Sequence, residues 1–128
     1  FMNFSFQMQN YLDNDIASKV ENDNPHKIIE EILKDLKNNL SLLAHCLQNN
    51  DTISRVKSDS FSKSLTAIYI LQSSLDFNQG GEIAENLNKI YEFCRTTIIK
   101  SFSKKDFEAI KKLEPLINEI LEGWKVIK

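Results

Sequence analysis

The chain has 128 residues, of which 41% are hydrophobic and 27% charged, so it can form one domain with a real core but not two. Its net charge of −2 argues against nucleic acid and an anionic membrane as partners. Three glycines and two prolines exclude loop-rich, collagen-like and many-turned all-β chains, and no apolar stretch could span a membrane or serve as a signal peptide.

The first 23 residues differ in composition from the rest of the chain. Phe4, Met8 and Leu12 could share one side of a short helix, but Asn, Gln, Ser and Asp surround them. The segment is too apolar for an inert tail and too short to fold alone. We expect Phe1, which precedes Met2, to be a remnant outside the natural chain.

The first strong helical pattern begins at Asn24. Asn24 supplies a capping side chain, and Pro25 favours the first helical position. The cluster at 49–51 ends the helix. Its apolar residues recur at spacings of three and four and share one side: Ile29, Ile32, Leu33, Leu36, Leu40, Leu43 and Leu47.

A second helix follows, with a start that its many polar residues obscure. Its apolar stripe contains Ile53, Phe61, Leu65, Ile68, Leu71 and Leu75. The stretch from Asp76 to Gly81 contains the only Gly-Gly pair in the sequence, and it predicts a reversing turn. We interpret the two glycines as structural before functional, because glycine adopts backbone angles that other residues resist.

Two more helices complete the pattern. The third carries Ile83, Leu87, Ile90, Tyr91, Cys94 and Ile98. The fourth begins with a capping box at Ser103–Asp106 and runs to Ile127, with a kink or break expected at 111–114, just before Pro115. The prediction is a single all-α domain: an antiparallel four-helix bundle over 24–128, preceded by the N-terminal segment 1–23.

The residues of common catalytic and metal sites are scarce. Neither His26 nor His45 stands in a Glu-x-x-His motif, and no Cys/His pair has zinc spacing. Cys46 and Cys94 fit buried apolar positions in a reducing compartment. His45 should face solvent, which leaves a phosphotransfer domain as an alternative, although no lysine and glycine follow the histidine. We expect no enzyme, no cofactor and no metal.

Apolar residues also occur outside the predicted core stripes. They are Leu42 in the first helix, Ile70 in the second, Phe93 and Ile99 in the third, and Val126 in the fourth. Singly exposed apolar residues are common. Several of them on one small bundle favour surface grooves that receive a helix of another protein.

The second half of the chain resembles a known family. Residues 75–93 read Leu-Asp-Phe-Asn-Gln-Gly-Gly-Glu-Ile-Ala-Glu-Asn-Leu-Asn-Lys-Ile-Tyr-Glu-Phe, and Trp124 lies near the end of the last helix. Over residues 61–127 the chain is similar to the flagellar export chaperones of the FliS family. In the first half Pro25 follows the family pattern and Tyr11 can correspond to a tyrosine near the family's N-terminus, but 32–36 lacks the family's tyrosine and glycine.

The resemblance implies a bacterial cytosolic chaperone that binds flagellin, at its C-terminal helical segment, and prevents polymerisation before secretion. The flagellar export machinery is a further expected partner, and neither nucleic acid nor membrane insertion is expected. An adaptor or structural bundle that binds another protein helix is the alternative. The predicted partner-binding residues are Tyr11, Leu12, Tyr69, Ile70, Ile83, Leu87, Tyr91 and Ile99. Residues 3–16 could form a removable lid over a groove or a permanent part of the core.

Overall fold

The computed structural model describes residues 24–49 and 55–127, which form four α-helices and no strand. The helices are α1 (Pro25–Gln48), α2 (Arg55–Ser73), α3 (Phe77–Lys104) and α4 (Phe107–Val126). Helix α1 packs extensively against α2 and α4, while α3 contacts both of these less closely and completes the ring. The predicted all-α bundle is confirmed. The lid residues 3–16 lie outside the described residues.

Cross-helix contacts show that neighbouring helices are antiparallel. Along α2 and α3, Phe61 stacks on Phe102 and Gln72 binds Asn88, so residue numbers rise on one helix as they fall on the other. Along α1 and α4, His26 contacts Trp124 and Lys37 contacts Asn118 in the same reversed order. These two polar contacts also mark which side of each helix faces its neighbour.

Helix α1 follows the prediction from its first residue to its last. The Asn24 side chain accepts a hydrogen bond from the Lys27 backbone N–H at 2.8 Å, and Pro25 opens the helix. All seven residues of the predicted stripe are buried, together with Ile28, Ala44 and Cys46. The sequence pattern therefore predicts the central element of the core correctly.

Helix α3 contains the one glycine that adopts a positive φ. The Asp76 side chain accepts hydrogen bonds from the backbone N–H groups of Asn78 and Gln79, which starts a single helical turn. That turn ends at Gly81, where φ is 50° and ψ is −126°, and the long part of α3 follows. The predicted reversing turn is thus a short helical turn and a kink within one helix.

The start of α4 differs from the prediction. Ser103 belongs to the last turn of α3, Lys105 closes that helix with a left-handed φ of 57°, and Asp106 caps α4 by accepting from the Ala109 N–H. The predicted capping box at Ser103 therefore places the start of α4 one turn too early. No break occurs at Pro115. Both Pro115 and Lys111 are exposed, so water can reach the Lys111 carbonyl that loses its helical partner.

Candidate functional site

The predicted partner-binding residues divide into exposed and buried groups. Tyr69, Ile83 and Ile99 are 47%, 65% and 41% exposed, and Leu87 is half-buried. Ile70 and Tyr91 are buried. The expectation that Ile70 lies outside the core is therefore wrong, whereas Tyr91 belongs to the core as its place in the apolar stripe of the third helix indicated. Contact of either residue with a partner stays a prediction. Tyr11 and Leu12 lie outside the described residues.

Both buried positions have a packing explanation. Ile70 lies one turn after buried Ala67, on the side of α2 away from Phe61, and it joins the core while Phe61 packs against α3. Tyr91 lies one turn before Cys94 in the core stripe of α3, and burial raises the pKa of its hydroxyl well above the usual value. Neither side chain is available to a partner while the bundle keeps this packing.

A polar cluster joins α2 to α3. The Gln72 amide donates to the Asn88 amide oxygen at 3.1 Å and to a Glu92 carboxylate oxygen at 3.0 Å. Glu92 also accepts from the Arg95 guanidinium. These bonds to Arg95 and, secondly, to Gln72 hold the pKa of Glu92 at about 2. The cluster identifies the α2-facing side of α3.

Two of the exposed predicted residues lie along this α2/α3 side. Tyr69 is one turn before Gln72 on α2, and Ile99 is one turn after Arg95 on α3. Tyr69 and Ile99 thus flank the polar cluster as single exposed side chains. On α2 the partly buried Phe61 and Leu65 precede Tyr69 at spacings of four, so this side also carries apolar residues.

A second surface of α3 faces α4 and is more apolar. Ile83, Leu87 and Ile90 follow one another at spacings of four and three. Ile90 is two residues from both Asn88 and Glu92, which places it on the opposite side of the helix from the polar cluster. This stripe therefore lies toward α4, and its exposure increases from Ile90 to Ile83.

Helix α4 presents a matching stripe. The Lys37 ammonium of α1 donates to the Asn118 side chain at 2.8 Å, which identifies the α1-facing side of α4. Leu116 and Ile120 are each two residues from Asn118 and so lie on the opposite side, toward α3. Gly123 continues this side one turn later, with open space where a Cβ would stand.

We name this surface the α3/α4 groove. It is lined by Ile83, Leu87, Ile90, Leu116 and Ile120, and Gly123 leaves one end of it open. The two helices are joined by the tight turn at Lys105 and Asp106 and contact each other less closely than α1 contacts its neighbours. Partly buried apolar side chains at spacings of three and four are the features that receive an amphipathic helix.

Some exposed apolar residues were not among the predicted partner-binding residues. Phe77 lies in the short turn before the kink, and Phe93 lies on the side of α3 opposite its core stripe. The width of the α3 apolar stripe was the available sequence signal for Phe93. Phe77 carried no such signal, because its exposure depends on the turn that Asp76 starts.

The start of α1 and the end of α4 are in contact at one end of the bundle. The Trp124 indole N–H donates to the His26 carbonyl, and His26 Nε2 lies at 2.8 Å from the Trp124 carbonyl, so this ring nitrogen is the donor. The two rings also stack at 4.8 Å. A shallow depression of about 420 Å³ lies beside them, lined by Asn24, Pro25, His26, Lys125 and Ile127.

The residues considered for catalysis occupy ordinary positions. His45 is exposed as predicted. Among the described residues, its ring forms a hydrogen bond with the Asn49 side-chain amide. Cys46 and Cys94 are buried, and burial raises the pKa of the Cys94 thiol to about 11. No group of metal-binding side chains occurs in 24–49 and 55–127, and no described helix is long and apolar enough to cross a membrane.

Comparison with known proteins gives consistent matches over almost the whole chain. The family model of the flagellar protein FliS matches residues 7–128. The flagellar secretion chaperone FliS of Salmonella typhimurium is 30% identical over 113 residues, covering 88% of this chain and 82% of that protein. The FliS of Vibrio cholerae is 28% identical over 94% of this chain and 87% of its own length. FliSB of Pseudomonas aeruginosa is 24% identical over 91% of both chains.

Proposed function

Because the chain belongs to the FliS family of flagellar secretion chaperones, we propose that it binds flagellin before export and holds the flagellin C-terminal segment as a helix in the α3/α4 groove. The family is one of chaperones and not of enzymes. The observation that supports this placement is the pair of facing apolar stripes, with Ile83 65% exposed at one end. Its physical basis is burial of the client's apolar side against these stripes.

Binding would also explain how polymerisation is prevented. An amphipathic segment that is unfolded when free exposes the apolar side through which copies associate, and a chaperone groove covers that side. Ordering the segment costs part of the contact free energy, which keeps the complex reversible. Release is then possible without nucleotide hydrolysis. The proposed site of action is the bacterial cytosol.

Calorimetry with a flagellin C-terminal peptide tests the proposal. Ile83→Ser removes an exposed groove residue and should weaken binding by about 10- to 100-fold, because one well-buried isoleucine side chain contributes about 1.5–3 kcal/mol. Ile99→Ser makes the same change on the same helix at the α2/α3 side, where the predicted partner-binding residues Tyr69 and Ile99 lie, so the pair of variants compares the two candidate sides for a client in the α3/α4 groove. Ile99→Ser should alter the Kd less than about twofold.

The outcomes test flagellin as the client separately from the α3/α4 groove as its binding site. Absence of binding by the unsubstituted protein would contradict flagellin as the client and favour an adaptor bundle for another helix. Weakening by Ile99→Ser alone would contradict the α3/α4 groove and move the client to the α2/α3 side. Transfer of phosphate to His45 from a phosphorylated donor would instead support the phosphotransfer alternative.

A further inference from the structure

The charges of the bundle are separated along its length. The connections α1–α2 and α3–α4 lie at one end, and the adjoining halves of the helices, residues 37–49, 55–63 and 93–116, contain ten basic and four acidic side chains. We call this the basic end. The remaining described residues, the acidic end, contain four basic and nine acidic side chains. The small net charge of the chain conceals this separation.

The lysines of the acidic end are largely held in local ion pairs. At the acidic end, Lys27 and Lys34 pair with Glu30 and Glu31, and Lys125 pairs with Glu122. Near the middle of the bundle, Arg95 pairs with Glu92. Three of the four basic side chains at the acidic end are thus held by neighbouring carboxylates.

Three exposed lysines near the α3–α4 connection form the centre of this surface. Lys100 and Lys104 lie one turn apart on α3, and Lys112 lies across the turn in the second turn of α4. All three are exposed, and none forms an ion pair or hydrogen bond within the described residues. The neighbouring acidic side chain of Asp106 is engaged in capping α4. Even with Asp51 of the α1–α2 connection added from the sequence, the basic end keeps five positive charges in excess.

Helix α2 extends the same surface. The Lys57 ammonium lies 5.4 Å from the centre of the Phe102 ring, which brings the start of α2 beside the end of α3. Exposed Val56 stands next to Lys57, and exposed Leu42 lies on α1 within the same half. The surface thus combines lysines from three helices with single apolar side chains.

We propose that the basic end is a docking surface for an anionic lipid bilayer. Eight of its ten cationic residues are lysine, a point charge that suits a diffuse anionic surface, whereas bidentate recognition of carboxylate or phosphate groups favours arginine. The lysines are spread over a bundle end and not along a groove, and the apolar residues among them suit the bilayer interface. The proposal rests on the placement of charged residues and does not depend on whether flagellin binds in the α3/α4 groove.

Flotation of the full chain with vesicles tests this inference. The protein should bind vesicles of phosphatidylcholine with phosphatidylglycerol and not vesicles of phosphatidylcholine alone, and binding should disappear at about 1 M salt, where the Debye length is about 3 Å. The combined variant Lys100→Gln, Lys104→Gln, Lys112→Gln should bind about 100-fold less, since each lysine near an anionic surface changes partitioning about fivefold.

The matched control changes the same number of charges at the acidic end. Lys27→Gln, Lys89→Gln, Lys125→Gln gives the same net charge and should keep vesicle binding within about threefold. Circular dichroism confirms that both variants fold. Equal loss in the two variants, or no binding to anionic vesicles at low salt, would overturn the proposal. Tighter binding to duplex DNA or to polyglutamate than to the vesicles would assign the basic end to another polyanion and also overturn it.

Discussion

Replacing Gly81 should destabilise the fold, because its backbone angles are unusual. Its φ of 50° and ψ of −126° belong to a region that residues with a Cβ rarely adopt. A Cβ built at Gly81 meets no atom within 4 Å, so the cost of Gly81→Ala is torsional and not a clash. This separation of backbone strain from crowding makes the substitution informative.

The expected loss of stability follows from two opposing effects. Holding a residue in such a sparsely populated region costs about 1–3 kcal/mol. Alanine also restricts the unfolded chain, which returns about 0.4–1 kcal/mol to the folded state. The net decrease in the free energy of unfolding should be about 1–2 kcal/mol, or a fall in Tm of about 4–8 °C for a chain of this length.

Gly123→Ala is the matched control for this effect. Gly123 also has open space around a built Cβ, but its φ is an ordinary helical one within α4. Alanine there should raise the free energy of unfolding by about 0.5–1 kcal/mol, because it removes glycine from a helix interior. The two variants make the same chemical change and should shift stability in opposite directions.

Urea denaturation followed by circular dichroism measures both variants under one set of conditions. A Gly81→Ala protein as stable as Gly123→Ala would refute the torsional argument. Binding of the flagellin peptide, measured where both variants are fully folded, should be retained by Gly81→Ala. If binding disappeared with stability unchanged, the glycine would act in recognition and our structural interpretation would be wrong.

Three further predictions concern other parts of the bundle. Trp124→Ala should lower the free energy of unfolding by about 3–5 kcal/mol in urea denaturation, because it removes a buried indole and its bond to His26. The depressed pKa of Glu92 stabilises the fold above pH 4.5, and this contribution is lost as pH falls through about 2, so unfolding of Glu92→Gln should depend less steeply on pH across that window. Deleting residues 1–16 should leave a helical bundle that binds apolar dyes more and flagellin at least as tightly, and collapse of the fold on deletion would contradict the lid.

The helices themselves could be predicted because their local signals agree. In α1 the cap at Asn24, the proline at 25 and an unbroken apolar stripe all indicate the same helix. The α3–α4 boundary was predicted one turn too early because Ser103 and Asp106 both offer a cap locally. Packing decides between them, since buried Ser101 and the stacking of Phe102 on Phe61 keep α3 helical to Lys104.

The surfaces were harder to predict than the helices. A helical wheel assumes one buried side, but α2 packs against α1 on one side and α3 on another, and Ile70 therefore joins the core. Which neighbour a given side faces is fixed by tertiary contacts such as Lys37 with Asn118 and Gln72 with Asn88. Without these contacts the sequence could name apolar residues in excess but could not assign them to the α3/α4 groove.

The extensive packing of α1 on α4 has a consequence for synthesis at the ribosome. The first described helix emerges well before its partner, and at about 5–20 residues per second the 78 residues from Gln48 to Val126 take about 4–16 s. During that interval the side of α1 that will meet α4 has no native cover. This long-range pairing should make the nascent chain a client of general folding assistance before it can act as a chaperone itself.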